Sequence, residues 1–174
     1  MRITQICRFI AFAILLAVPA LGVAASHKGE TSVGLRGGFT TRNTTATAGL
    51  YLSYRFTEHF RVSPKLDYAF PHHNIDAFSF DIDCEMPLSL SAADNINFYP
   101  IAGLNYSTYS YHIEKGEDSS AEETSQRRND FGLSFGAGLE YFATPTLRLA
   151  VESKGVIIKR FSGGWFTLSI GYRF

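Results

Sequence analysis

Residues 166–174 read Phe-Thr-Leu-Ser-Ile-Gly-Tyr-Arg-Phe. Phe166, Leu168, Ile170, Tyr172 and Phe174 recur at every second position, with Thr167, Ser169, Gly171 and Arg173 between them. Side chains of an extended strand point alternately to opposite faces, so this stretch is predicted as a strand with one apolar and one polar face. A helix would scatter the same residues around its circumference.

Working back from this stretch, the pattern repeats. Phe131, Leu133, Phe135, Ala137, Leu139 and Tyr141 oppose Gly132, Ser134, Gly136, Gly138 and Glu140, and a following strand begins with Leu147, Leu149 and Val151 against Arg148, Ala150 and Glu152. Phe78, Phe80, Ile82, Cys84, Met86 and Leu88 oppose Ser79, Asp81, Asp83 and Glu85. Phe60, Val62, Pro64, Leu66, Tyr68 and Phe70 oppose Arg61, Ser63, Lys65 and Asp67. Two earlier strands set Val33, Leu35, Gly37 and Phe39 against Gly34, Arg36, Gly38 and Thr40, and Ala46 to Phe56 against Thr47, Gly49, Tyr51, Ser53 and Arg55. A tyrosine-rich strand from about Ile96 to His112 shows no clear facing. In all, about eight antiparallel strands are expected.

The connectors alternate in length. Short polar turns lie around Thr57-Glu58, Ser91 to Asn95 and Thr144-Pro145-Thr146. On the other side lie Pro71 to Ile75, the long acidic Glu114 to Arg128, and Lys159 to Gly164 with its Ser162-Gly163-Gly164 turn signal. The Glu114–Arg128 stretch carries five carboxylates and no aromatic residue, the composition of a solvated loop.

The first 25 residues are of another kind. Two arginines precede an unbroken apolar run from Phe9 to Val18, and Pro19 and Gly22 lead into Val23-Ala24-Ala25. This is the pattern of a cleavable export signal, with Ala25 as the last residue removed. Residues 26–174 are then the mature domain. Losing Arg2 and Arg8 from 16 basic residues leaves 14 against 16 acidic ones, which gives no footprint for nucleic acid. Cys7 falls in the signal and Cys84 alone remains, so the mature chain can form no internal disulfide.

Alternation also suits a soluble barrel or sandwich, in which the apolar face points inward. Three features argue for the reverse, with lipid on the apolar face: the export signal, glycine on the polar face, and aromatic residues at strand ends (Phe56, Phe60, Phe70, Phe78, Phe161, Trp165, Phe174). Rings at those positions suit the two membrane interfaces.

The residues Phe166, Leu168, Ile170, Tyr172 and Phe174 look like the C-terminal signal by which outer-membrane barrels are recognised for assembly. Together with Gly136-Ala137-Gly138-Leu139-Glu140-Tyr141 and Ile101-Ala102-Gly103-Leu104-Asn105-Tyr106, they make residues 30–174 resemble the OmpA/OmpX-like family of small outer-membrane β-barrels. The resemblance implies an all-β, transmembrane, antiparallel up-and-down barrel in the bacterial outer membrane, in contact with its lipid and with the barrel assembly machinery. Members of that family often carry a separate peptidoglycan-binding domain. With the chain stopping at Phe174, no cell-wall tether is expected.

In this reading Arg61, Lys65, Asp81, Asp83, Glu85, Glu140, Arg148 and Glu152 form a charge network in the lumen, with Arg36, Arg55, Asp67 and Arg173 on the same polar face. Unpaired charge in a narrow interior is costly. A hairpin closing near His73 sets Lys65 opposite Asp81 and Arg61 opposite Glu85, and a turn centred on Thr144 sets Glu140 opposite Arg148. Asp81, Asp83 and Glu85 have the oxygen ligands a hard cation takes, but pairing with Arg61 and Lys65 accounts for them more simply. The adjacent His72 and His73 point to opposite faces, and His59 lies at the other end. No metal or other cofactor is therefore expected.

Roughly eight strands enclose a lumen just wide enough for side chains, whereas an aqueous channel takes about 16. The function expected is that of a non-enzymatic scaffold displaying loops for envelope integrity or adhesion, with Glu114 to Arg128 as the candidate contact for an extracellular partner. A small passive pore is the alternative. A lipid-modifying enzyme, using Ser110 and His112 at the outer rim, stands third.

Overall fold

The computed structural model describes residues 28–42, 44–72, 75–90, 95–111, 126–158 and 162–174. The expected signal, His73, His112, Phe161 and the loop from Glu114 to Ser125 lie outside the described residues. The strands are β1 (Thr31–Thr40), β2 (Thr45–Thr57), β3 (Phe60–His72), β4 (Ile75–Glu85), β5 (Ile96–Tyr111), β6 (Gln126–Phe142), β7 (Leu147–Ile158) and β8 (Gly163–Arg173).

Each strand pairs antiparallel with the next, and β1 pairs with β8 through Gly37↔Leu168 and Val33↔Tyr172, so the sheet closes as an eight-stranded barrel. After β4 the Met86 N–H still donates to the Pro100 carbonyl at 3.2 Å, and the ladder is interrupted at Pro87, which has no N–H to donate. It resumes for Leu88–Ser89 against Phe98 and Asn97.

The facing is inside out relative to a soluble protein. Leu35 and Leu104 are each 60% exposed and Leu168 is 65%, whereas Arg61 and Glu140 are each 1% exposed. The strand whose facing the sequence leaves open follows the same rule: Phe98 and Leu104 of β5 look outward, and Asn97, Tyr99 and Asn105 look inward. Outward rows such as Phe60–Phe70 and Phe131–Tyr141 run about ten residue steps, which at about 3.3 Å per step and about 40° of tilt rise about 25 Å, the height of an outer-membrane apolar band. Paired rings stand at the ends of such rows, Tyr54 with Phe56, Tyr68 with Phe70 and Tyr172 with Phe174.

Several local expectations differ. Trp165 is not an interface ring: it is 4% exposed and packs inside on Val156 and Ile158, because its neighbours Phe166 and Gly164 hold the outward positions. The acidic loop ends earlier, since Gln126, Arg127 and Arg128 pair with Tyr111, Ser110 and Tyr109. Pro71, His72 and Ile75 likewise belong to strands rather than to a loop. The turn after β6 is centred one residue later than Thr144, with Thr144 Oγ1 accepting from the Leu147 N–H at 3.0 Å and the Ala143 N–H donating to the Leu147 carbonyl at 3.0 Å. Glu140 therefore lies opposite Ala150, and Arg148 opposite Phe142.

Glycine on the inner face has a steric reason at two points. A Cβ on Gly138 would overlap the Tyr99 ring, and one on Gly171 would overlap the Tyr51 hydroxyl. Each tyrosine occupies a niche that a side chain at the facing glycine position would fill.

Candidate functional site

The polar interior is the site, and it is layered. Nearest the short turns, Glu140 is the centre. It accepts from Arg61 Nη1 at 2.7 Å, from Arg148 Nε at 2.7 Å and from Asn97 Nδ2 at 3.0 Å, and Arg55 Nη2 stands 3.6 Å away. Arg61 also donates through Nε to Glu85 at 2.6 Å. The Tyr99 ring backs both cations, with the Arg61 and Arg148 guanidinium carbons 4.9 and 5.6 Å from its centre, and Tyr51 faces Arg148 at 5.1 Å. Such cation–π contacts strengthen when they are shielded from water.

The next layer turns on Lys65 and Lys154. Lys65 Nζ lies 2.9 Å from Glu85, 2.9 Å from Glu152 and 3.1 Å from Asp83, three carboxylates for its three protons. Lys154 Nζ lies 3.0 Å from Asp81 and 3.1 Å from Asp83, while Arg36 bridges Asp67 and Glu152, each at 3.2 Å. The Tyr99 hydroxyl donates to Glu152 at 3.0 Å and so ties the two layers together. Above them the described strands line the lumen with neutral side chains. Ser79, Asn105 and Ser107 hydrogen-bond among themselves at 2.7–2.9 Å, beside the apolar groups Ala69–Ala77–Tyr109 and Val156–Ile158–Trp165.

Within the described strands, six bases (Arg36, Arg55, Arg61, Lys65, Arg148, Lys154) and six acids (Asp67, Asp81, Asp83, Glu85, Glu140, Glu152) are buried, so the charges these strands bury balance. The barrel brings together all eight charges named from sequence, though not always in the pairs suggested. Lys65 and Asp81 are opposite in register, as are Arg61 and Glu85. Yet Asp81 is held by Lys154, and Lys65 reaches Asp83 instead. Glu140 and Arg148 meet on the diagonal rather than face to face. Arg173 stands at the rim, donating to the Pro145 carbonyl at 2.7 Å and lying 3.5 Å from Glu30.

Sequence reading missed Lys154, Tyr99, Asn97 and Arg42, and it set Tyr51 on the polar face without giving it a part in the network. Continuing the Arg148-Ala150-Glu152 alternation by one step points to Lys154. Tyr99 carries no such mark, because both rows of β5 contain tyrosine. Asp81, Asp83 and Glu85, whose spacing suits a hard cation, are each engaged by a protein cation. Among the described residues no three His, Cys, Asp or Glu side chains are grouped so as to hold a metal ion. Phe166, Leu168, Ile170, Tyr172 and Phe174 all face outward.

A closed antiparallel barrel with an apolar exterior and an ionic interior defines a transmembrane β-barrel of the outer-membrane type. The chain belongs to the outer membrane protein beta-barrel domain family, whose model matches residues 12–174. It is accordingly an outer-membrane protein in contact with the lipid bilayer. The N-terminal β-barrel domain of Pseudomonas aeruginosa OprF superposes with a TM-score of 0.64 at 16% identity, over 84% of this chain and 98% of that one. Ail, the attachment invasion locus protein of Yersinia pestis, gives 0.59 at 17% identity, over 84% of this chain and 99% of that one. Neisserial surface protein A gives 0.61 at 13% identity, over 83% and 94%. At such identities the likeness is one of fold. No curated protein matches the chain significantly.

Proposed function

We propose that the protein is a non-enzymatic outer-membrane scaffold that presents its long loops to the exterior and serves envelope integrity or adhesion. The observation that supports this most is the filling of the lumen by twelve interlocked charged side chains, with every carboxylate of the network against a cation. A diffusion channel needs that space, and an enzyme needs a nucleophile beside a base. A scaffold needs only a barrel that stays closed.

The adhesion reading draws on two further facts. The acidic segment lies in the chain between β5 and β6, the two longest strands. Ail, which shares the fold, is named for attachment and invasion and has been solved with the heparin analogue sucrose octasulfate. In the same reading residues 1–25 are the export signal, and the outward row Phe166–Phe174 is read by the barrel assembly machinery.

Deleting residues 115–124 in cells that express the protein tests the proposal. Loss of cell binding with barrel insertion unchanged supports adhesion through this loop, and cleavage by added protease within Glu117–Glu123 on intact cells supports its surface display. Steady conductance of the purified wild-type barrel in planar bilayers would replace the scaffold by the small pore. Lipid hydrolysis abolished by Ser110→Ala would replace it by the enzyme.

A further inference from the structure

The turn Thr41–Thr44 joins β1 to β2, on the far side of the closed sheet from β5. Its Arg42 nonetheless reaches β5. Nη1 donates to Ser107 Oγ at 3.4 Å and to the Tyr109 hydroxyl, and the guanidinium carbon sits 5.7 Å from the centre of the Tyr109 ring. Gly163 makes way for the crossing, since a Cβ there would overlap Arg42 Cγ. Below the guanidinium, Ser107 continues into Asn105, whose amide donates to Asp81 at 2.8 Å.

The turn that delivers Arg42 is strained. Thr44 has φ +54°, the left-handed region that a β-branched residue rarely adopts. Such a conformation persists only where surrounding contacts hold it. Arg42 supplies contacts of that kind by anchoring the turn across the mouth.

We propose that the outer mouth of the barrel is a guanidinium site, normally occupied by the chain's own Arg42. The hydroxyls of Ser107 and Tyr109 both accept from Nη1, the hydroxyl edge of the Tyr109 ring lies beside the guanidinium, and the carboxylate of Asp81, already held by Lys154, lies beyond Asn105. Arg42 is tethered two residues from β1, so its effective concentration is in the millimolar range or above. An external guanidinium group therefore enters only when the turn lifts, a movement that relaxes Thr44.

Chemical rescue tests the proposal. The folded fraction of the purified barrel in detergent is followed by its migration on a gel after heating, with methylguanidinium chloride added at low millimolar concentration and sodium chloride as the control. The wild type is expected to respond equally to the two salts. Arg42→Ala melts lower and is restored saturably by methylguanidinium alone, by about 3 °C at ten times the half-saturating concentration. Arg42→Ala/Tyr109→Leu gains nothing. Arg42→Gln serves in the same series if the alanine variant does not fold. A shift in the arginine variants no larger than in wild type, an equal shift with sodium chloride, or rescue that survives loss of the Tyr109 ring overturns the assignment.

Discussion

Replacing Glu140 by Gln keeps the shape of the side chain and removes the charge on which the lower layer converges. In the native barrel this carboxylate meets Arg61 and Arg148 at 2.7 Å each and has Arg55 at 3.6 Å. The amide retains one acceptor oxygen and brings an N–H into a ring of N–H donors. Three guanidinium groups are then left with Glu85 as the remaining acid of that layer. Breaking a buried ion pair from one side costs about 3–5 kcal/mol, because the surviving charge stays desolvated and unpaired. Against a net stability of about 5–15 kcal/mol, the variant still folds but with a much reduced margin. Urea unfolding in phospholipid vesicles is expected to show an earlier midpoint with an unchanged slope, since the surface exposed on unfolding is the same. Glu58→Gln, in the exposed turn after β2, is the control and should fall within about 0.5 kcal/mol of wild type. Arg148→Gln removes one of the cations that Glu140 neutralises, so Glu140→Gln/Arg148→Gln should lose less than the two single losses combined, by about 0.5–3 kcal/mol. A loss below about 1 kcal/mol for Glu140→Gln, or strict additivity in the double variant, would refute the reasoning, because either result means that water or neighbouring side chains already screen the cluster.

Gly138→Val should destabilise the barrel by about 1–3 kcal/mol by driving the Tyr99 ring from its niche, whereas Gly155→Ala, whose new Cβ meets only the Phe135 carbonyl at 3.8 Å, should be nearly silent; unfolding midpoints compare them. Leu168→Arg places a charge on the lipid face beside Val151, halfway along the outward row of β7. It should cost about 2–4 kcal/mol in vesicle unfolding, while Thr146→Arg in the exposed turn should cost little. Thr44→Gly removes the penalty of φ +54° and should raise the thermal midpoint while Arg42 stays in place; a fall would show that the turn is not under strain.

The fold was legible because a transmembrane barrel writes its architecture at period two. Each strand has one face in lipid and one in a polar lumen, so a single alternating row such as Phe60–Phe70 carries both the element and its facing. Legibility failed where that rule is broken. β5 places Tyr99 and Tyr109 inward and Tyr106 toward lipid, so residue type does not separate its faces. Trp165 reads as an interface ring by type and is a lumen residue by parity. Within the network, parity placed Lys65 and Asp81 on one face and the hairpin made them opposite. Which carboxylate a lysine chooses, however, depends on strands far away in sequence: Lys65 bonds Glu152, 87 residues on, and Arg36 bonds Glu152 across 116. Those choices are set by the closure of the barrel, which no local pattern encodes.

Why the interior is ionic at all follows from the solvent outside. Lipid chains are as apolar as leucine, so burying an outward leucine against another strand gains little, and hydrogen bonding closes the sheet whichever face looks out. An apolar lumen would leave the two faces nearly equivalent, and a shift of one residue in register, which exchanges them, would meet little resistance. With Arg61, Lys65, Glu140 and Glu152 on one face, the same slip would drive charges into hydrocarbon at about 2–4 kcal/mol for each Arg or Lys near the midplane. Replacing a buried ion pair by apolar groups of equal volume is often neutral or favourable for stability alone. The retention of six acids and six bases here is thus better explained by the register and facing they enforce than by the stability they add.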